Sequence, residues 1–392
     1  MIKTGLERLV DKDFAPLRGL RVGLVVNQTA VDSRLRHLVE HLWARTDVHL
    51  RALLSPEHGL WGDAQDQVSV GSIRDSLTGL TVHSLYGATP EDLAPDADIL
   101  RDLDILVFDI QDVGSRYYTF VWTLAHCMEA AARVGTAVLV LDRPNPIGGA
   151  VVQGNIQDDK YLSFVGRFPV AVRHGLTVGE IARLLQGEFG IACELSVLAL
   201  EGWRRDDWFE ATGLPWVSPS PNMPAVETAA VYPGMCLLEG TNLSEGRGTT
   251  RPFEILGAPF IDPHRLALEL NGAGVPGVRF RPLFFRPTFG KYAGHCCGGA
   301  QLHVVDRSRL DPFVAGLAVV VAVQRLWPDA FCFADPPYEF ELERLPFDLL
   351  AGTPAVREAI LAGVDHHELA ASFQGDIERF REQRAPYLLY RE

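Results

Sequence analysis

Along the first half of the chain, short aliphatic and β-branched runs alternate with stretches whose apolar positions recur at helical spacing. Arg21–Val26 (RVGLVV), Leu50–Leu54, Val82–Leu85, Ile105–Ile110 (ILVFDI), Ala137–Leu141 (AVLVL) and Glu194–Leu200 predict strands. Ser33–Ala44, Thr119–Val134 and His174–Gly187 predict helices. The second of these ends at Gly135, a residue suited to a helix C-terminus, and the third carries Thr177 with Glu180 three residues on, the pattern of a capping box. Strands alternating with helices predict an α/β domain, a parallel sheet covered by helices, running to about residue 235.

Trp216–Pro224 (WVSPSPNMP) holds three prolines in nine residues and is read as an extended loop leading towards a second domain. Beyond about residue 240 the pattern turns to Pro-rich strands and loops. A strand near Ala300–Val305, a buried helix over Pro312–Leu326 and helices after Pro354 complete a smaller α+β domain. The division expected is 1–237 and 238–392. A chain of 392 residues exceeds one ordinary core, so two domains with a cleft between them are the natural expectation.

Composition removes several functions. Hydrophobic residues at 47% and charged residues at 22% are those of a globular protein. A net charge of -14 has the wrong sign for a nucleic-acid binder. The opening MIKTGLERLVDKDF lacks an apolar signal run, and the longest apolar stretch, Phe313–Val323, is too short for a bilayer. The expectation is a cytoplasmic protein without membrane insertion. Six cysteines with no C-x-x-C pair signal neither zinc nor a disulfide framework, and Cys296 and Cys297 beside His295 are read as structural.

In open parallel sheets ligands bind beyond the carboxyl ends of the strands, and here those ends are polar. They carry Asn27, then Glu57 and His58, then Asp109, Asp112, Arg116 and Tyr118, then Asp142, Arg143 and Asn145. Taken singly, Asn27 and Asp142 are the kind of residue that caps turns or helices, and Asp112 the kind that holds a loop. Four such ends together point to a site. Leu238–Thr250 (LLEGTNLSEGRGT) adds Glu239, Asn242, Glu245 and Arg247 among three glycines. No G-x-S-x-G, P-loop or H-E-x-x-H motif occurs, and Gly272, Gly274 and Gly277 match a dinucleotide fingerprint without the strand and helix it needs. Carboxylate chemistry remains, as paired acids for glycoside cleavage or as ligands for a cation such as magnesium.

NQTAVD, SPEHGLWGD, SLYG, LVFDIQDVGSRYYTF, LDRPNPIGG, FVGRFPVAVRHGLTVGE, PSPNMP, YPGMCLLEGTNLSEGRGTTRPFEILGAP and RAPYLLY resemble the exo-acting β-N-acetylmuramidases, from about residue 5 to the C-terminus. The resemblance implies a Rossmann-like domain followed by a smaller auxiliary domain, with the active site between them. It implies release of N-acetylmuramic acid from the non-reducing ends of peptidoglycan fragments by cleavage of the β-1,4 bond to N-acetylglucosamine. No cofactor and no metal are expected. It carries over Glu57, His58, Asp109, Asp112, Glu239, Asn242, Glu245 and Arg247, and leaves the oligomeric state open. Within that set Glu57 is expected to be the general acid, kept protonated by burial and neighbouring carboxylates, with Glu245 or Asp109 as the second catalytic carboxylate. Arg247 and Arg116 are expected to grip the lactyl carboxylate of the muramic residue. Where many members have a small pair before a Glu, this chain has Gln65 and Asp66. The other readings of the same residues are a two-lobed sugar-acid binding protein without chemistry and a metal-dependent phosphohydrolase.

Overall fold

The computed structural model describes residues 2–65, 68 and 71–391. The apolar runs form β1 (Arg21–Val26), β2 (His49–Ser55), β3 (Ile73–Arg74), β4 (Thr81–Ser84), β5 (Ile105–Asp109) and β6 (Ala137–Leu141). β7 (Gln153–Ile156) and β8 (Ala171–Arg173) are a separate antiparallel pair, followed by β9 (Leu195–Leu198). The main sheet has seven strands in the order β3-β4-β2-β1-β5-β6-β9, all parallel except the short edge strand β3. This is the Rossmann-like arrangement expected, with the chain order reversing at β1.

Successive side chains of each strand enter two different cores, because strand side chains alternate between faces. Val25, Leu54, Leu106, Phe108 and Val140 join one core, while Leu24, Val26, Leu53, Val107 and Leu139 join the other. The second core is covered by α1 (Gly5–Asp11) and α2 (Leu38–Trp43). The first takes α3 (Ala97–Arg101), α4 (Phe120–Val134) and α5 (Val178–Gly187). α4 ends on left-handed Gly135, and α5 starts with the Thr177–Glu180 capping box, both as expected. α2 is shorter than the predicted Ser33–Ala44: the Asp32 carboxylate accepts from the Arg34 and Arg36 N–H groups and holds that stretch as a turn.

The 216–224 segment is irregular, as its prolines require, and lies between α6 (Phe209–Thr212) and α7 (Val226–Met235). α7 has no counterpart among the helices the sequence predicts, since it carries Pro233. Its Gly234 lies so close to Gly316 that a β-carbon on either would strike the opposite backbone, which lets α7 cross the later helix α9 (Pro312–Leu326) closely. A 3-10 turn over Cys236–Gly240 follows, and residues 237 and 238 lie within it.

A second sheet, in the order β10-β12-β11, is built from β10 (Ile255–Ala258), β11 (Val278–Phe285) and β12 (Cys297–Val304). Pro282 is tolerated in β11 because that strand is an edge. α8 (Pro263–Gly272) covers this sheet and α9 (Pro312–Leu326) packs on α7 and α8, so the stretch read as Pro-rich strands and loops also contains a helix. α10 (Pro346–Ala351), α11 (Ala355–Leu361), α12 (His366–Ser372) and α13 (Gln374–Arg384) close the chain. α13 packs back on β7, and Arg384 donates to the carbonyls of Gly149, His174 and Gly175. Among the described residues no helix is long and apolar enough to cross a membrane.

Candidate active site

Where β2 ends, His58 and Gly59 both take left-handed backbone conformations (φ 72° and 82°) and turn the chain sharply after Glu57. For a residue with a β-carbon this costs roughly 1–3 kcal/mol, a cost typically retained where geometry serves a site. Glu57 is buried and accepts a 2.9 Å hydrogen bond from the Thr119 hydroxyl at the start of α4. His58 engages the Ala64 carbonyl through Nδ1 at 2.9 Å and sets its ring edge-on to Phe120.

The facing wall comes from residues 238–250. Gly246 and Gly248 are left-handed, and a β-carbon on them would collide with the carbonyls of Ile255 and Phe289, so the backbone itself packs there. The loop thereby places Arg247 between two acids: Nη1 lies 2.8 Å from Glu239 and 3.3 Å from Glu245. Tyr338 donates to the other Glu239 oxygen at 2.6 Å. The Lys291 ammonium donates to the carbonyls of Leu238, Glu239 and Leu243 at 2.8–3.1 Å and lies 3.3 Å from Glu245. Burial alone would push the Glu245 carboxyl up, but Lys291 and Arg247 outweigh it and hold the group below the ordinary carboxylate range.

Between the walls lies a cleft of about 520 Å³, including its mouth, lined by Glu57, His58, Tyr118, Glu239, Arg247 and Glu339 among others. Glu339 accepts from the Tyr86 hydroxyl at 2.8 Å, linking the segment after β4 to the C-terminal half. His58, Phe253 and Glu339 are three of the seven described non-glycine residues with positive φ, and all three line this cleft. Backbone strain of this kind clusters at functional sites, which makes this cleft the candidate centre.

The remaining expected site residues are engaged elsewhere. Asp109 and Arg143, both buried, form a two-pronged ion pair at 2.5 and 3.0 Å, and Arg143 lines a smaller separate cleft with Thr29 and Trp216. Asp142 receives Thr177 Oγ (2.8 Å), the Gly179 N–H (2.7 Å) and the Tyr390 hydroxyl at the start of α5; burial pushes its pKa up to about 7 against those bonds. Asn27 closes its own turn through Thr29, Asn145 ties Ile147 to Leu176, and Asp112 accepts from the Gly114 N–H. Asn242 trades hydrogen bonds with the backbone of Ala330 and Cys332.

Arg116 requires a correction. Its guanidinium is fully buried and donates to the carbonyls of Asn155, Val170 and Leu350 at 2.9–3.0 Å, so it staples the fold and does not face the cleft. Burial pushes its pKa down to about 10.

Several lining residues were not singled out from the sequence. Thr119, Ser220, Asn222, Tyr232, Tyr338 and Glu339 line the cleft. Ser220 and Asn222 belong to PSPNMP, whose prolines spoke only of an extended loop; a polar pair between prolines was the available signal. Asn222 donates to Gln65, one of the two departures from the family pattern, whereas Asp66 lies outside the described residues. Tyr338 and Glu339 sit in a stretch with no motif at all.

A Rossmann-like sheet with a glutamate at a strand-end turn, faced across a cleft by a carboxylate–arginine loop, is the layout of an acid-catalysed hydrolase. The chain belongs to the exo-β-N-acetylmuramidase family: residues 22–227 match its N-terminal model (Exo-beta-N-acetylmuramidase NamZ, N-terminal) and 230–390 its C-terminal model. It is 43% identical over 389 residues to the peptidoglycan beta-N-acetylmuramidase NamZ of Bacillus subtilis (strain 168), covering 99% of this chain and 91% of that protein. It also resembles two crystal structures of DUF1343 family proteins from Bacteroides fragilis NCTC 9343. One has a TM-score of 0.89 at 36% identity, covering 99% of each chain; the other 0.78 at 30%, covering 100% of this chain and 99% of that one.

Proposed function

We propose that the protein is an exo-acting β-N-acetylmuramidase that hydrolyses the β-1,4 bond between a terminal N-acetylmuramic acid and N-acetylglucosamine in peptidoglycan fragments. The observation carrying this reading is the cleft that sets Glu57 opposite the Glu239–Arg247 pair in a member of that family. Glu57 protonates the departing glycosidic oxygen, and its bond from Thr119 fixes the carboxyl orientation. Glu239 replaces Glu245 and Asp109 as the second catalytic carboxylate, because it lines the cleft whereas those two are buried against Lys291 and Arg143. It stabilises positive charge developing at the sugar carbon, and water completes the hydrolysis. Arg247 is assigned to the lactyl carboxylate of the muramic sugar.

Residues 1–237 and 238–392 serve as the two walls. We place the protein in the cytoplasm, acting on recovered wall fragments; all six cysteines are free and two of them exposed, which suits a reducing compartment.

A chromogenic N-acetylmuramic acid glycoside and its N-acetylglucosamine counterpart test the activity: release from the first and not the second is expected, and release from neither by folded protein overturns it. Glu57→Gln should abolish release and leave thermal unfolding unchanged. A near-normal rate would overturn the acid assignment.

A further inference from the structure

An enzyme that releases only a terminal sugar needs a cleft closed on one side of that sugar, because a groove open at both ends admits the middle of a glycan. The leaving chain takes the mouth, so the closure belongs on the non-reducing side.

One wall of the cleft is built as such a closure. Two tight turns, 163–166 and 338–341, meet there from opposite halves of the chain. Each is closed by reciprocal backbone hydrogen bonds, Ser163 with Gly166 at 2.9 and 3.2 Å and Tyr338 with Glu341 at 2.9 Å both ways. Their tips carry Phe164 and Val165 on one side and Glu339 and Phe340 on the other. The two phenylalanine rings stand edge to face with centroids 5.4 Å apart, and the Tyr86 ring packs on both, at 5.5 and 5.6 Å. Tyr86 also fastens Glu339 through its hydroxyl. Arg344 braces the second turn: it pairs with Glu341 and donates to the carbonyls of Lys160 and Leu162, just before the first turn, at 2.6 and 3.3 Å. Three chain segments are thereby locked together around the left-handed backbone of Glu339 (φ 53°).

The wall is thin. Val165, Tyr338 and Glu339 line the catalytic cleft, while Ser163, Phe164 and Phe340 line an open groove of about 2000 Å³, including its mouth, on the far side. A hollow of about 370 Å³ within the wall touches all six. Elsewhere the cleft backs onto Tyr117, Phe120, Tyr232 and Phe253 of the main core. Removing the phenylalanine rings would join the cleft to the groove.

We propose that these paired turns are the end stop that makes the enzyme exo-acting: Phe164 and Phe340, clamped by Tyr86, block the space that a sugar on O4 of the muramic residue would occupy. This rests on the muramidase reading and adds specificity-determining residues to that site. The terminal sugar is selected by a clash against the interior of a glycan.

Two chromogenic substrates test it, the muramic glycoside and the same glycoside capped by N-acetylglucosamine β-1,4-linked to the muramic O4. Wild type is expected to release the chromophore from the uncapped substrate alone. Phe164→Ala/Phe340→Ala should gain release from the capped one and raise the capped-to-uncapped rate ratio at least about tenfold, since room for a single methylene is already worth about 10–200-fold. A folded variant with no gain overturns the proposal, as does a wild type that cleaves the capped substrate. Should the double variant fail to fold, Phe340→Ala, which truncates only the half-buried ring, is read by the same outcomes. Wild-type release from the uncapped glycoside without gain in the folded variant sinks this inference alone, whereas wild-type release from neither sinks the muramidase reading with it.

Discussion

Glu245→Gln separates an anchor from a catalyst. The wild-type carboxylate is buried between Arg247 and Lys291, each at 3.3 Å, and Lys291 also gathers the carbonyls of Leu238, Glu239 and Leu243. Gln keeps an acceptor for Arg247 but removes the charge that both cations face. Breaking a buried pair costs about 3–5 kcal/mol. Here the side chains of Arg247 and Lys291 are 14% and 30% exposed, so water screens part of the loss and about 2–3 kcal/mol is the fair expectation. Urea denaturation should report that loss at neutral pH. It should shrink in acid: a carboxyl held below its ordinary range contributes stability above the unfolded value near 4.5, lost as pH falls through the lower folded value. Turnover of the muramic glycoside by the folded fraction should fall less than about tenfold, through slight misplacement of Arg247 and Glu239. Loss of a catalytic carboxylate typically costs on the order of 10²–10⁴. A variant of wild-type stability whose kcat falls a thousandfold would refute the reasoning and make Glu245 the second catalytic group after all.

Two further expectations rest on the buried ionisable groups. Arg116→Met should destabilise by roughly 3 kcal/mol or more by orphaning three carbonyls, while KM for the muramic glycoside stays unchanged in protein that folds; a raised KM at wild-type stability would return Arg116 to the lactyl site. Asp142, raised by burial from 3.8 to about 7, contributes stability that is complete below pH 4 and lost as pH rises through 7. Asp142→Asn should therefore flatten the stability profile between pH 4 and 7 relative to wild type, by up to about 4 kcal/mol, and parallel profiles would contradict this.

Much of the first half was legible in the sequence because local rules decide it. Continuous apolar runs became parallel strands, Gly135 ended α4 and the Thr177–Glu180 pair opened α5. The second half was harder: α7 contains Pro233 and packs its backbone closely on that of α9, an approach possible only because Gly234 and Gly316 meet in space. The strand-end polarity was real, yet most of it serves the fold. Asn27, Asp112 and Asp142 hold turns and a helix start, and Asp109 is spent on Arg143.

By itself the sequence determined the parallel sheet, the family and a pool of acids and arginines, since periodicity, caps and long motifs are properties of contiguous residues. Only the tertiary structure decided which of that pool share one cleft. Glu57, His58, Tyr118, Glu239 and Arg247 are drawn together from segments up to 190 residues apart, while Arg116, only two positions before Tyr118, turns its charge into a ring of carbonyls. Partner choice for a buried charge depends on what the rest of the chain brings within about 3 Å, and no local pattern records that.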